Sequence, residues 1–208
     1  MSILGDADAF FRRRRRNPSH VGPVVVVGTI TGLAFVQHAL IEIAVANQMR
    51  TGSNEFLFGP YGLVTHLYVL GRPFVIWTLY ATAFHVLSGI FGGEGSFRRT
   101  FLLPGWGFLP RIPVEFLSVV ATWTVVEHVP EPELYATYEY LMQIQTHPLL
   151  SVPTAIGLVV TVWALPDLLW VYAVMHARNV ERWKAVIAVN IPVGVAVLLT
   201  ANDLLGSL

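Results

Sequence analysis

The sequence predicts an all-α protein: a polytopic integral membrane bundle of five transmembrane helices, N-terminus inside and C-terminus outside. Three observations lead there. Charged residues are only 12% of the 208, hydrophobic residues are 54%, and the mean hydropathy is +0.60; a soluble domain usually carries about 25% charge. Five stretches are long and apolar enough to cross a hydrocarbon core, which takes about 20 residues as a helix. Eleven of the thirteen basic residues fall on alternate loops, marking one membrane face as cytoplasmic. These features exclude an ordinary soluble enzyme and a disordered chain, and zero net charge speaks against a nucleic-acid partner. Cysteine is absent, so disulfides, thiolate metal sites and a cysteine nucleophile are excluded as well.

Residues 1–20 read as a cytoplasmic, basic, amphipathic segment, and residues 21–208 as a single five-helix membrane domain. Asp6, Ala7, Ala9, Phe10 and Phe11 suggest a short amphipathic helix lying on the membrane. Arg12, Arg13, Arg14, Arg15 and Arg16 follow as a topology anchor that binds anionic lipid headgroups, at about 1 kcal/mol per basic residue near the surface. Docking to an acidic partner is the other reading of that run.

The first span runs from about Val24 to Ala46. It is too long, and lacks the small-residue site, to be a cleaved signal peptide. Phe56 to Leu70 mixes aromatics with Gly59, Pro60, Gly62 and His66, and reads as a re-entrant or interfacial piece on the outer side. The second span runs from about Pro73 to Gly93. Arg98, Arg99 and Arg111 place the following loop inside. Within it, Thr100 to Pro113 holds Pro104, Gly105, Gly107, Pro110 and Pro113; it is predicted not to form a regular helix and to lie along the inner interface. The third span covers about Ile112 to Val129. Glu131, Glu133 and Glu139 then occupy an outer loop with no base. The fourth span is about Leu149 to Met175, the basic turn Arg178, Arg182 and Lys184 returns the chain inside, and the fifth covers about Ala185 to Leu205.

Ionisable residues inside spans are functional candidates because burying them in lipid is costly. His38, Glu42, His85 and Asp167 qualify. His38 and Glu42 are four apart and share a helix face. By depth, Glu42 and Asp167 lie roughly 17 Å apart at about 1.5 Å per residue, too far to share an ion. Ser88 and Asn190 lie near the depth of Asp167, so Ser88, Asp167 and Asn190, with His85 at the edge, are expected to form a polar layer on the inner side. Its readings are interhelical hydrogen bonding that fixes the bundle, or a proton or substrate relay. A metal site on His38, Glu42 and His85 is the weakest reading, since only two of these ligands are closely spaced and no HExxH-type signature accompanies them. No catalytic residue, metal site or cofactor is assigned. The spacings Gly28-x-x-x-Gly32 and Gly89-x-x-x-Gly93 would allow close helix approach. Gly92, Gly93 and Gly95 around Glu94 lack the lysine of a phosphate cradle and read as a tight turn.

Three pieces resemble the Yip-domain family of Ypt/Rab-interacting membrane proteins. The first is the opening Asp6-Ala-Asp-Ala-Phe-Phe-Arg. The second is Gly92-Gly-Glu-Gly-Ser-Phe-Arg-Arg-Thr-Phe101 followed by Gly105-Trp-Gly-Phe-Leu-Pro110. The third is the link Trp170-Val-Tyr-Ala-Val-Met-His-Ala-Arg-Asn-Val-Glu-Arg-Trp-Lys-Ala185 between the last two spans. The resemblance runs from about Asp6 to Leu205 and implies five spans with a cytoplasmic N-terminus. The Asp-Leu-Tyr-Gly-Pro stretch of eukaryotic members has its nearest match in Phe56-Leu-Phe-Gly-Pro60, which follows the first span instead of preceding the spans, and their long cytoplasmic N-terminal domain has no counterpart. Rab binding is therefore not implied. Twelve arginines against one lysine fit a GC-rich prokaryote, bacterial or archaeal.

The function this implies is non-enzymatic, in the cell (plasma) membrane: organising or shaping the bilayer, or scaffolding other membrane proteins. The partners are anionic lipid headgroups and another membrane protein or a second copy, reached through Trp123, Trp163, Trp170 and Trp183. The alternative is a small transporter or channel whose path uses His85, Asp167 and Asn190, in helices interrupted by Pro153, Pro166 and Pro192.

Overall fold

Asp6 starts the first helix: its Oδ1 accepts the N–H of Ala9 at 2.9 Å, satisfying one of the donors a helix start leaves open. The computed structural model describes residues 6–48, 60–130, 137–161 and 169–206, and among these residues there is no strand. Helix α1 (Ala7–Arg14) carries Asp8 in its first turn and Arg12, Arg13 and Arg14 in its last, each on the side the helix dipole favours.

Helix α2 (Val21–Gln48) contains the first expected span. Helix α3 (Pro60–Ile90) is continuous over 31 residues. Residues 60–70 are therefore its opening turns and not a separate re-entrant piece; residues 56–59 lie outside the described residues. Pro60 takes the first helical position, where a missing N–H costs nothing. Pro73 inside the helix forfeits only the bond to the Val69 carbonyl, a smaller loss than exposing a broken backbone to hydrocarbon.

Between the second and third spans the chain is more regular than its prolines suggest. Helix α4 (Phe97–Gly105) and a 3₁₀ turn (Trp106–Phe108) occupy the segment expected to be irregular. Pro104 stands one residue from the helix end, so one backbone bond at most is lost. Leu102, Leu103, Gly107 and Phe108 are buried in protein instead of lying along an interface.

Helix α5 (Arg111–His128) matches the third span. Helix α6 (Thr137–Gln145), in the loop after it, has no counterpart in the sequence expectations. Helix α7 (Pro148–Val159) opens the fourth span, π-helical turns follow at Val160–Thr161 and Leu169–Trp170, and residues 162–168 between them lie outside the described residues. Helix α8 (Val171–Arg178) ends on Asn179 in the left-handed conformation, φ 54°, and helix α9 (Arg182–Gly206) follows. Among the described residues, Val21–Asn47, Gly62–Ile90 and Arg182–Leu199 are each long and apolar enough to cross a membrane, with a fourth if Phe97–Phe108 and Arg111–His128 form one broken span.

The chain divides into two compact units. The first comprises Met1–Val27, Phe74–Pro110 and Leu158–Leu208, the second Gly28–Pro73 and Arg111–Gly157. In the first, α8 is the central element, with α1, α4 and α9 packed against it. Phe10 and Phe11 bury against Leu103, Leu169, Ala173 and Ala177, so the apolar face of α1 docks on protein and not on the membrane as expected. Trp170 is fully buried, donates Nε1–H to the Pro104 carbonyl at 3.0 Å, and contacts the rings of Tyr80, Phe84 and Phe108. A Cβ at Gly107 would lie 2.2 Å from the Trp170 ring, so only glycine fits beneath it. In the second unit, Tyr140 and Ile144 of α6 close on Ala44, Val45 and Val125.

Candidate functional site

Two polar clusters lie in the described residues, one in each unit. The first forms where α3 ends. Ser88, fully buried in the last turn, donates its hydroxyl to the Phe84 carbonyl at 2.5 Å and to that of His85 at 3.2 Å. The chain then turns sharply: the Gly93 N–H donates to the Ser88 carbonyl at 2.8 Å, and the Glu94 N–H to the Arg178 carbonyl at 2.7 Å. Gly95 has φ 143°, and a Cβ there would fall 2.4 Å from the Ala177 carbonyl oxygen.

This turn encloses Arg178, which is only 5% exposed. Its Nε donates to Ser88 Oγ at 3.0 Å, Nη2 to the Gly93 carbonyl at 2.5 Å, and Nη1 to the Gly95 carbonyl. The charge has no carboxylate among these partners. It sits instead at the carbonyl-rich C-terminal end of α3, where the helix dipole stabilises a cation. Burial lowers the Arg178 guanidinium from its ordinary range, yet an arginine keeps its proton in a protein. The expected turn at Gly92–Gly95 is therefore a guanidinium cage.

Alongside, His176 Nε2 lies 2.7 Å from Asp8 Oδ1, and Arg12 pairs with the other Asp8 oxygen at 2.6 Å. Arg14 lies 3.7 Å above the Phe10 ring and 4.7 Å from that of Trp106, and burial lowers its guanidinium too. Arg15 reaches Asn179 Oδ1 at 3.4 Å. Arg14 and Arg15 of the basic run thus hold α1 in place as well as carrying surface charge.

The second cluster belongs to the other unit. His38 and Glu42 lie one turn apart on α2, and His66 of α3 completes the group. His66 Nε2 is 2.6 Å from Glu42 Oε2 and His38 Nε2 is 3.0 Å from Oε1. The two imidazoles meet edge to face, 5.6 Å between centroids, and Phe35 stands 5.6 Å from the His66 ring. Glu42 is 8% exposed. Nearby, Gln37 donates to Thr122 Oγ1 at 3.1 Å.

Of the sequence-predicted site residues, all but Asp167 lie among the described residues. His38 and Glu42 are neighbours, and their third member is His66. His85 accompanies Thr100 at 3.2 Å and the ring of Phe97. Ser88 is held by Arg178. Asn190 is exposed and donates to the Val186 carbonyl of its own helix at 2.9 Å. Asp167 lies outside the described residues, as does Trp163. Trp123 and Trp183 are exposed as expected, while Trp170 is not available to any partner because it is fully buried. A Cβ at Gly28 or Gly32 would meet nothing within 4 Å, so among the described residues no close helix approach uses that spacing. Gly93 lies beyond the helix in the cage turn, so the Gly89–Gly93 spacing is not a helix face either.

Arg178, Thr100 and His66 were not singled out from sequence. In the sequence Arg178 reads as a topology charge and as part of the family-like link between the last two spans. His66 has a signal in its spacing: it lies as far after the start of α3 as Glu42 lies before the end of α2.

Comparison with known proteins agrees with this architecture. The family model of the Yip1 domain matches residues 2–201. A protein of Methanocaldococcus jannaschii described as uncharacterized is 50% identical over 119 residues, which cover 57% of this chain and 84% of the relative. That relative agrees with the archaeal branch suggested by the resemblance. No solved structure matches. An all-helical chain with several membrane-length apolar helices, matched to the family model over nearly its whole length, belongs to the Yip1 domain family of integral membrane proteins.

Proposed function

We propose that this protein is a non-enzymatic scaffold of the cell membrane that organises the bilayer and holds other membrane proteins laterally. The observation that carries this reading is where its polar side chains go. Ser88, Arg178, His176 and Asp8 are committed to contacts within one unit, and His38, Glu42 and His66 to contacts within the other. What the helices present outward is apolar: Leu67, Leu79, Ile90 and Leu198 are more than half exposed, with Trp123 and Trp183 beside them in composition. Such side chains suit lipid or the flank of another membrane helix. Five spans, an inward N-terminus and headgroup binding by Arg12 to Arg16 complete the reading, each following from the charge pattern of the loops.

A small transporter or channel around His85, Asp167 and Asn190 is the second reading. It is favoured by the π-helical turns at Val160–Thr161 and Leu169–Trp170, since such irregularities are frequent at functional sites. Reconstitution into liposomes loaded with a pH-sensitive dye separates the two. The scaffold reading expects no flux above protein-free vesicles, with wild type and Asp167→Asn alike. A wild-type flux abolished by Asp167→Asn would replace it with the transporter.

A further inference from the structure

We propose that His38, Glu42 and His66 form a binding site for one divalent transition-metal ion, of the kind that takes mixed imidazole and carboxylate ligands, such as zinc. The site goes beyond the scaffold reading and does not depend on it. Each of the three residues offers one ligand atom, and these atoms lie within 4.8 Å of one another. Ligands of a tetrahedral ion at its usual bond lengths stand about 3.3 Å apart, so small rotations of two rings and one carboxylate suffice.

The donor chemistry points the same way. Both imidazoles turn Nε2 toward one buried carboxylate. If neither nitrogen carries a proton, three lone-pair donors face one another and repel; a cation between them removes that conflict. A single hydrogen bond answers it on one side only, since His66 lies in line with Oε2 at 2.6 Å. His38 Nε2 is 3.0 Å from Oε1 but off the direction of a hydrogen bond, and it is buried without a hydrogen-bond partner. A metal ion takes all three lone pairs at once.

The scaffold is also suited to holding the ligands. His38 and Glu42, one helical turn apart on α2, are fixed relative to each other by that helix. His66 comes from the facing helix, so the ion would pin α2 to α3. Three protein ligands leave a coordination position for water or another small donor, as in two-histidine, one-carboxylate sites. Binding displaces any proton held by the ligands into solvent, so affinity must rise with pH.

The experiment uses the full untagged chain, purified in detergent, stripped with chelator and titrated with zinc and with cobalt. The proposal expects one equivalent of ion per chain, cobalt d–d absorption in the visible, and a zinc-dependent rise in melting temperature. His38→Gln and His66→Gln should each weaken cobalt affinity at least tenfold and abolish the zinc-dependent rise. Absence of one-to-one binding to the wild type, or binding unchanged in both variants, would overturn the site and leave an ion pair alone. Should the variants fail to fold, X-ray absorption on the zinc-loaded wild type decides. Two imidazole shells plus oxygen support the proposal, and any other count of imidazoles overturns it.

Discussion

Arg178 shows what one residue can organise. A guanidinium offers five donors in a fixed planar fork, and here three of its nitrogens find oxygens on Ser88, Gly93 and Gly95. The glycines follow from the arginine: close approach of the chain to Ser88 and Ala177 leaves no room for a Cβ at Gly93 or Gly95. Hydrogen bonds to a charged group each contribute about 1.5–3 kcal/mol. Arg178→Ala, which removes three charge-assisted hydrogen bonds, one to the buried Ser88 and two to the part-buried carbonyls of Gly93 and Gly95, is therefore expected to destabilise the protein by about 3 kcal/mol, read as a large drop in melting temperature in detergent. Arg178→Lys should recover only part of that loss, because an ammonium cannot reproduce the fork. Equal melting temperatures for wild type and Arg178→Ala would mean that the cage contributes nothing.

At the scale of elements, α1 changes from a membrane-surface helix to a docked one. Its hydrophobic face and basic end suit either place, and only the buried contacts of Phe11 with α4 and α8 decide. Truncating a fully buried phenylalanine typically costs about 3–5 kcal/mol. Phe11→Ala should therefore release α1 and make Arg12 to Arg16 sensitive to trypsin under conditions where wild type resists, with the rest of the chain intact. Cleavage at the same rate in both proteins would show that α1 is not held through Phe11. The segment from Phe97 to Phe108 carries a related lesson. Its prolines and glycines suggest irregular chain, but Pro104 falls in a final turn and Gly107 admits the Trp170 ring. Glycine and proline marked the places where packing is tight; they did not mark an absence of helix.

For the whole molecule, the charge pattern makes a prediction that labelling can check. The chain has no cysteine, so single cysteines can be introduced without background. In right-side-out vesicles, a membrane-impermeant maleimide should label Thr146→Cys and should leave Ser96→Cys unmodified until the membrane is permeabilised. The reverse pattern would invert the proposed topology, and labelling of both would refute the five-span count.

The sequence by itself determined the fold class, the family and the approximate limits of α2, α5 and α9. Those properties follow from hydropathy run length, loop charge and short motifs, which are local quantities summed along the chain. It also brought His38 and Glu42 together, because a separation of four residues fixes a shared helix face. Tertiary structure alone decided which residues meet across elements. Ninety residues separate Ser88 from Arg178, and neither helical period nor composition relates two segments so far apart. His66 joined Glu42 only once residues 60–70 proved to be helix, since a re-entrant segment would have carried it elsewhere. The physical reason is the same in each case. A buried polar group must be satisfied by whatever the packed helices bring within about 3 Å of it, and that distance is a property of the folded chain.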